Sequence, residues 1–139
     1  MCRPVRHPWR LPVRFARPLN ILLVEDDSLT AMAMARMLEM AHCTVTTVTD
    51  GEAGLSALAG GAFDALITDL VMPRLGGEAM IRQLRLDWPD LPIVVLSASP
   101  PEDGIPGLQD GEGGPLVILR KPVLAGELLT AMDQVFLKT

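Results

Sequence analysis

A chain of 139 residues is sized for one domain, large enough to bury a core without disulfide or metal staples. Apolar residues make up 49% and charged residues 21%, and no apolar run approaches the roughly 20 residues of a membrane span, so a soluble globular protein is expected. The net charge of −5 joins two unlike parts: residues 1–18 carry five arginines and no acid, while residues 19–139 hold seven Lys+Arg against seventeen Asp+Glu, a balance that argues against nucleic-acid binding by the body of the chain.

Residues 1–18 place Pro4, Pro8, Pro12 and Pro18 among arginines, with neither a helical nor a strand period. That composition predicts a basic disordered leader; its alternative is an arm docking an acidic partner or nucleic acid. No long apolar stretch makes it a secretory signal. From Leu19 the pattern is regular. Leu19–Val24 is an apolar run broken only by Asn20, a first strand. Ser28 takes the N-cap position of a helix to about Ala41, with Met34, Met37, Leu38 and Ala41 at helical spacing. Cys43–Val48, rich in Thr and Val, is a second strand, in which Cys43 reads as a small buried hydrophobe. Asp50-Gly51 punctuates the chain, and a short Ala/Leu helix runs to Gly60-Gly61.

Phe63–Asp69 is a third strand, and a helix from about Gly77 to Asp87 puts Ile81, Leu84 and Trp88 on one face. Leu91–Leu96 is a fourth strand, closed by Ser97-Ala98-Ser99, and Leu116–Leu119 a fifth. A last helix, Leu124–Leu137, turns Leu128, Ala131, Met132 and Val135 inward. Strands alternating with helices predict an α/β, flavodoxin-like doubly wound sheet of five parallel strands over residues 19–139, in the order 2-1-3-4-5. One segment breaks the rhythm: Ala98–Pro115 has nine Gly or Pro and four acids among eighteen residues, so the helix due there should be short, irregular or absent.

In such a sheet, ligands bind at the carboxyl edge where the order reverses, between strands one and three. Strand one runs into Glu25-Asp26-Asp27 and strand three ends at Asp69. Alone, each acid reads as a turn or cap residue, favourable near a helix start. Together they form an oxygen-only cluster suited to a hard cation such as Mg²⁺. Strand four brings Ser97 to that edge, and strand five brings Lys121, just after Arg120. A carboxylate nucleophile, a cation site, an ammonium and a hydroxyl are the parts needed for phosphoryl chemistry.

Val24-Glu25-Asp26-Asp27, Asp69-Leu70-Val71-Met72-Pro73 with Gly76-Gly77, Leu96-Ser97-Ala98 and Lys121-Pro122 resemble the receiver domain of two-component response regulators, over about Leu19 to Leu137. The resemblance implies that Asp69 accepts a phosphoryl group from a histidine kinase or phosphotransfer protein. It implies Mg²⁺ on Glu25, Asp26, Asp69 and the Val71 backbone carbonyl. Lys121 would pair with the phosphoryl oxygens, Ser97 would be the switch hydroxyl, and the bond before Pro122 would be cis. A bacterial, cytoplasmic phosphorelay protein is expected, monomeric or weakly dimeric, acting on an unidentified downstream protein, with no membrane role and no turnover of an external substrate.

Two departures qualify the expectation. Ile118 stands where the family often has an aromatic switch residue. Val71, two after Asp69, offers no polar atom to orient an attacking water, which predicts a long-lived phosphoryl group. Since the chain stops after the last helix, a stand-alone switch is expected, similar to receivers of hybrid sensor kinases. The alternative is a receiver-like protein-binding module that is not phosphorylated. A haloacid-dehalogenase-type phosphatase would need a second acid where Val71 stands, and a flavodoxin would need a phosphate loop after strand one.

Overall fold

The computed structural model describes residues 18–72, 74–101, 105 and 114–137. Five strands, β1 (Asn20–Val24), β2 (Thr44–Val48), β3 (Ala65–Asp69), β4 (Ile93–Ser97) and β5 (Leu116–Arg120), form one sheet in the order β2-β1-β3-β4-β5. Every pairing is parallel. Among the described residues four helices connect and flank them: α1 (Ser28–Met40), α2 (Gly51–Gly60), α3 (Gly77–Leu84) and α4 (Ala125–Leu137). β3 and β4 are buried along their whole length, as continuous apolar strands in the middle of a two-faced parallel sheet must be.

Alternation along the strands divides the core in two. Ile21, Leu23, Ile67 and Leu96 face α1 and α4, where Met34, Leu38, Leu128 and Met132 meet them. Leu22, Val24, Leu66 and Val95 face α2 and α3, where Leu58, Met80, Ile81 and Leu84 meet them. Each such side chain, fully buried, contributes about 1.5–3 kcal/mol. Leu128, Ala131, Met132 and Val135 all lie inward, as their spacing predicts.

Several local boundaries differ from the sequence reading, each for a physical reason. Ser28 is not the N-cap of α1 but its first helical residue; Asp27 caps the helix, accepting the Thr30 amide at 3.3 Å and also the Thr30 hydroxyl. These two bonds hold the Asp27 carboxyl below its ordinary range. β1 begins at Asn20, β2 at Thr44, β3 at Ala65 and β4 at Ile93, one or two residues after the apolar runs start. Those runs begin in the turns: Cys43 is buried just ahead of β2, its amide bonded to the Leu38 carbonyl at 3.0 Å, and burial pushes its thiol up to about 11. α3 stops at Leu84, and Trp88 reaches the same core from beyond it through an amide bond to the Leu84 carbonyl, 2.8 Å.

Between β4 and β5 the described residues contain no helix. Ile105 is buried there against the α2/α3 face of the sheet. The return into β5 is clamped by Arg85, whose guanidinium donates to the carbonyls of Trp88, Pro89, Leu91 and Pro115 at 3.1, 3.1, 2.7 and 3.0 Å. Gly114 beside it has φ 82, and a side chain there would stand 2.2 Å from the Pro89 carbonyl oxygen. The expected basic leader, apart from Pro18, and most of the Gly/Pro-rich segment lie outside the described residues. Among the described residues no helix is long and apolar enough to cross a membrane.

Candidate functional site

The register of the sheet sets the tips of four strands side by side: Val24 pairs with Thr68, Asp69 with Leu96, and Ser97 with Arg120. The ladder continues past the strand ends. The Glu25 amide donates to the Val48 carbonyl (3.0 Å), Leu70 to Leu96 (2.9 Å) and Lys121 to Ser97 (2.9 Å). The residues just beyond the strands are thereby held in the ladder. Glu25, Asp69, Ser97 and Lys121 all come from this row.

Three of the four converge. The Lys121 ammonium donates to Glu25 Oε1 at 2.7 Å and to Asp69 Oδ2 at 3.1 Å. Glu25 and Asp69 are both buried, while the lysine side chain keeps 22% exposure. Asp26 stands exposed at the rim, and one ligand oxygen from each of Glu25, Asp26 and Asp69 falls within 4.8 Å of the others. The far oxygen of Glu25 accepts the Asp27 amide at 3.3 Å. The bond between Lys121 and Pro122 is cis.

Burial pushes the Glu25 carboxyl above its ordinary range, against the bonds from Lys121 and the Asp27 amide. Burial alone would lower Lys121, but its bonds to Glu25 and Asp69 outweigh it and hold the ammonium above its ordinary value, so it stays charged. One ammonium thus faces three carboxylates, which leaves an excess of negative charge and oxygen donors only. That donor set fits a small hard divalent cation.

Ser97 is buried at the next strand tip. Its hydroxyl oxygen accepts the Ser99 amide at 3.1 Å, a bond that uses a lone pair and not the hydroxyl proton. Val71 is 76% exposed, in the loop leaving β3. Gly77, at the start of α3, shows why glycine closes that loop. A side chain there would stand 2.2 Å from the Asp69 carbonyl oxygen, and its amide donates to the Leu70 carbonyl at 2.9 Å.

The sequence reading gave no role to Arg120, whose guanidinium donates to the Ala98 carbonyl at 3.3 Å and ties the β5 tip to the segment after Ser97. It also took Asp50-Gly51 for punctuation, although Asp50 pairs with Arg74 of the loop after Asp69 at 3.7 Å. Neither contact has a signal in the spacing of residues.

Comparison with known proteins agrees with this geometry. A family model described as the response regulator receiver domain matches residues 21–133. The response regulator MprA of Mycolicibacterium vanbaalenii is 35% identical over 123 residues, which cover 88% of this chain and 52% of MprA. The sensory/regulatory protein RpfC of Xanthomonas campestris pv. campestris is 34% identical over 127 residues, 88% of this chain and 17% of RpfC. The chain therefore spans about half of the first relative and a small part of the second. Among solved structures, a sensor protein from Polaromonas sp. JS666 superposes with a TM-score of 0.75 at 28% identity, covering 88% of this chain and 99% of that one.

Proposed function

This chain belongs to the response regulator receiver domain family, and we propose that Asp69 is its phosphoacceptor, loaded by a histidine kinase or a histidine phosphotransfer protein in a two-component relay. The observation that carries the reading is the Lys121 ammonium, bonded at once to Glu25 and Asp69 where the strand tips meet. In the reaction an Asp69 carboxylate oxygen forms a bond to phosphorus while the bond from phosphorus to the donor nitrogen or oxygen breaks. The departing group leaves with the electron pair and takes its proton from solvent.

Each residue has a task in that exchange. Glu25, Asp26 and Asp69, with the Val71 carbonyl, would hold Mg²⁺, which supplies charge neutralisation to the phosphoryl oxygens. Lys121 brings a second positive charge that is already in contact with Asp69, so little reorganisation is needed as charge moves onto the transferred group. Ser97, whose hydroxyl proton the Ser99 bond does not use, donates to a phosphoryl oxygen, and the segment through Ser99 follows it. The chain serves as its own catalyst for loading and for hydrolysis and turns over no other substrate. Loading by a histidine kinase would be a cytoplasmic event. Exposed Leu29 and Met32 on α1 and Leu124 ahead of α4, near the same edge, suit the approach of a phosphodonor protein.

Incubation with acetyl phosphate and Mg²⁺, read by intact mass, tests this directly. The parent chain should gain one phosphoryl group and Asp69→Ala none. No gain in the parent would leave a protein-binding module that is not phosphorylated.

A further inference from the structure

The loop that leaves Asp69 is closed at its base and braced from the side. At the base, the Leu70 amide donates to Leu96 and its carbonyl accepts the Gly77 amide, both at 2.9 Å. At the side stands the start of α2. The Gly51 amide donates to the Leu75 carbonyl at 3.1 Å. Arg74, in the left-handed region at φ 64, reaches the Asp50 carboxylate at 3.7 Å. Asp50 is buried, with one oxygen on the Ala53 amide at 2.9 Å as the α2 cap and the other turned to Arg74. At Gly51 a methyl group would stand 2.4 Å from the Leu75 carbonyl oxygen and 2.9 Å from the Leu75 side chain, so only hydrogen lets helix and loop meet.

These contacts exceed what capping a helix requires. A cap needs one carboxylate oxygen on a backbone amide, which Ala53 supplies. The second oxygen, the bare Gly51 and an arginine in a backbone region disfavoured for side chains all serve the junction with the loop. We infer that Asp50 and Gly51 are positioning residues for the cation site, acting through Arg74 and Leu75 to hold the loop that carries the Val71 carbonyl. The inference rests on reading Asp69 as the centre of a Mg²⁺-dependent phosphoacceptor site. A small cation demands close to octahedral geometry at short distances, so an oxygen on an unbraced loop would be the weakest ligand of the set. Groups that orient ligands from behind typically alter metal affinity by about tenfold or more when lost.

The test uses the full chain with Mg²⁺ alone as probe. Affinity is read from amide shifts of the β3–α3 loop during titration, and stability from thermal unfolding in chelator. Gly51→Ala should weaken Mg²⁺ binding by about tenfold. Arg74→Gln should weaken it by about twofold, because the Arg74 side chain is 70% exposed and the pair is screened by solvent. Asp50→Asn keeps an acceptor for Ala53 and should match Arg74→Gln, and the double variant should be no weaker than either single one. Gly51→Ala binding Mg²⁺ as the parent does would overturn the inference, whatever it does to the melting temperature. Phosphoryl loading of the parent alongside that result would strike the inference alone. A parent that takes up no Mg²⁺ would remove the reading of the site and the inference together.

Discussion

Asp26 is the exposed member of a cluster whose three ligand oxygens lie within 4.8 Å of one another. At a water-like dielectric, two unit charges at that distance repel by about 0.9 kcal/mol. Asp26 faces two such partners, Glu25 and Asp69, and the Lys121 ammonium bonded to both offsets part of the sum. Removing the Asp26 charge should therefore stabilise the metal-free protein by about 1 kcal/mol, which raises the melting temperature by about 4 °C in a domain this size.

Mg²⁺ should reverse the ranking. A ligand at a hundred times its Kd stabilises the folded state by about 2.7 kcal/mol. If Asp26→Asn weakens Mg²⁺ about tenfold, the same concentration gives the variant only about 1.4 kcal/mol. The initial advantage of about 1 kcal/mol is then overtaken, and the two stability curves cross as Mg²⁺ rises. Urea unfolding of parent and Asp26→Asn, in chelator and across a Mg²⁺ series at fixed ionic strength, reads both halves. A variant less stable than the parent in chelator, or equal Mg²⁺ stabilisation of both, would refute the reasoning that these carboxylates are held together for a cation.

Three further outcomes follow from particular residues. Val71→Asn should shorten the lifetime of the phosphorylated protein by placing an amide beside the attacking water, followed as loss of the added mass after the donor is removed; an unchanged or longer lifetime would contradict this. Because burial holds the Glu25 carboxyl above its ordinary range, a cation binding there competes with a proton. Mg²⁺ affinity, measured by titration calorimetry, should fall as pH drops from about 8 towards about 5, and Glu25→Gln should abolish that slope. For stability the sign is opposite to that of a salt-bridged carboxylate: the folded pKa lies above the unfolded value of 4.5, so the Glu25 contribution is present below 4.5 and is lost as pH rises through the folded value. Arg85→Ala removes the donor from four carbonyls at the amino edge of the sheet. It should cost about 3 kcal/mol in urea unfolding while leaving Mg²⁺ affinity unchanged.

Most of the fold and the meeting of Glu25, Asp69 and Lys121 were legible because these residues sit at the ends of apolar runs. Once the strands are recognised and ordered, Glu25, Asp69, Ser97 and Lys121 must share one edge, whatever the connecting helices do. The Gly/Pro content of Ala98–Pro115 likewise spoke against a helix, and none stands among the described residues between β4 and β5. What escaped depends on contacts between segments distant in the chain. Glu25-Asp26-Asp27 read as one acidic group, yet Asp27 turns away to cap α1 while Glu25 turns inward to Lys121. Asp50-Gly51 has the look of an ordinary turn, and its service to the loop after Asp69 depends on a left-handed Arg74 that no periodicity announces. The Arg85 clamp is hidden for the same reason, since its acceptors are backbone carbonyls.

The central claim is that Asp69, among six acids and hydroxyls crowded at one sheet edge (Glu25, Asp26, Asp27, Asp69, Ser97 and Ser99), is the group that takes the phosphoryl. The most direct measurement is borohydride trapping of the chain after loading with acetyl phosphate and Mg²⁺, followed by peptide mapping. An acyl phosphate is reduced to an alcohol, so the modified position is marked where it formed. The account predicts a single mark at Asp69, lost when Mg²⁺ is chelated. A mark at Asp26 or Asp27, or loading that survives at a serine and resists borohydride, would contradict it.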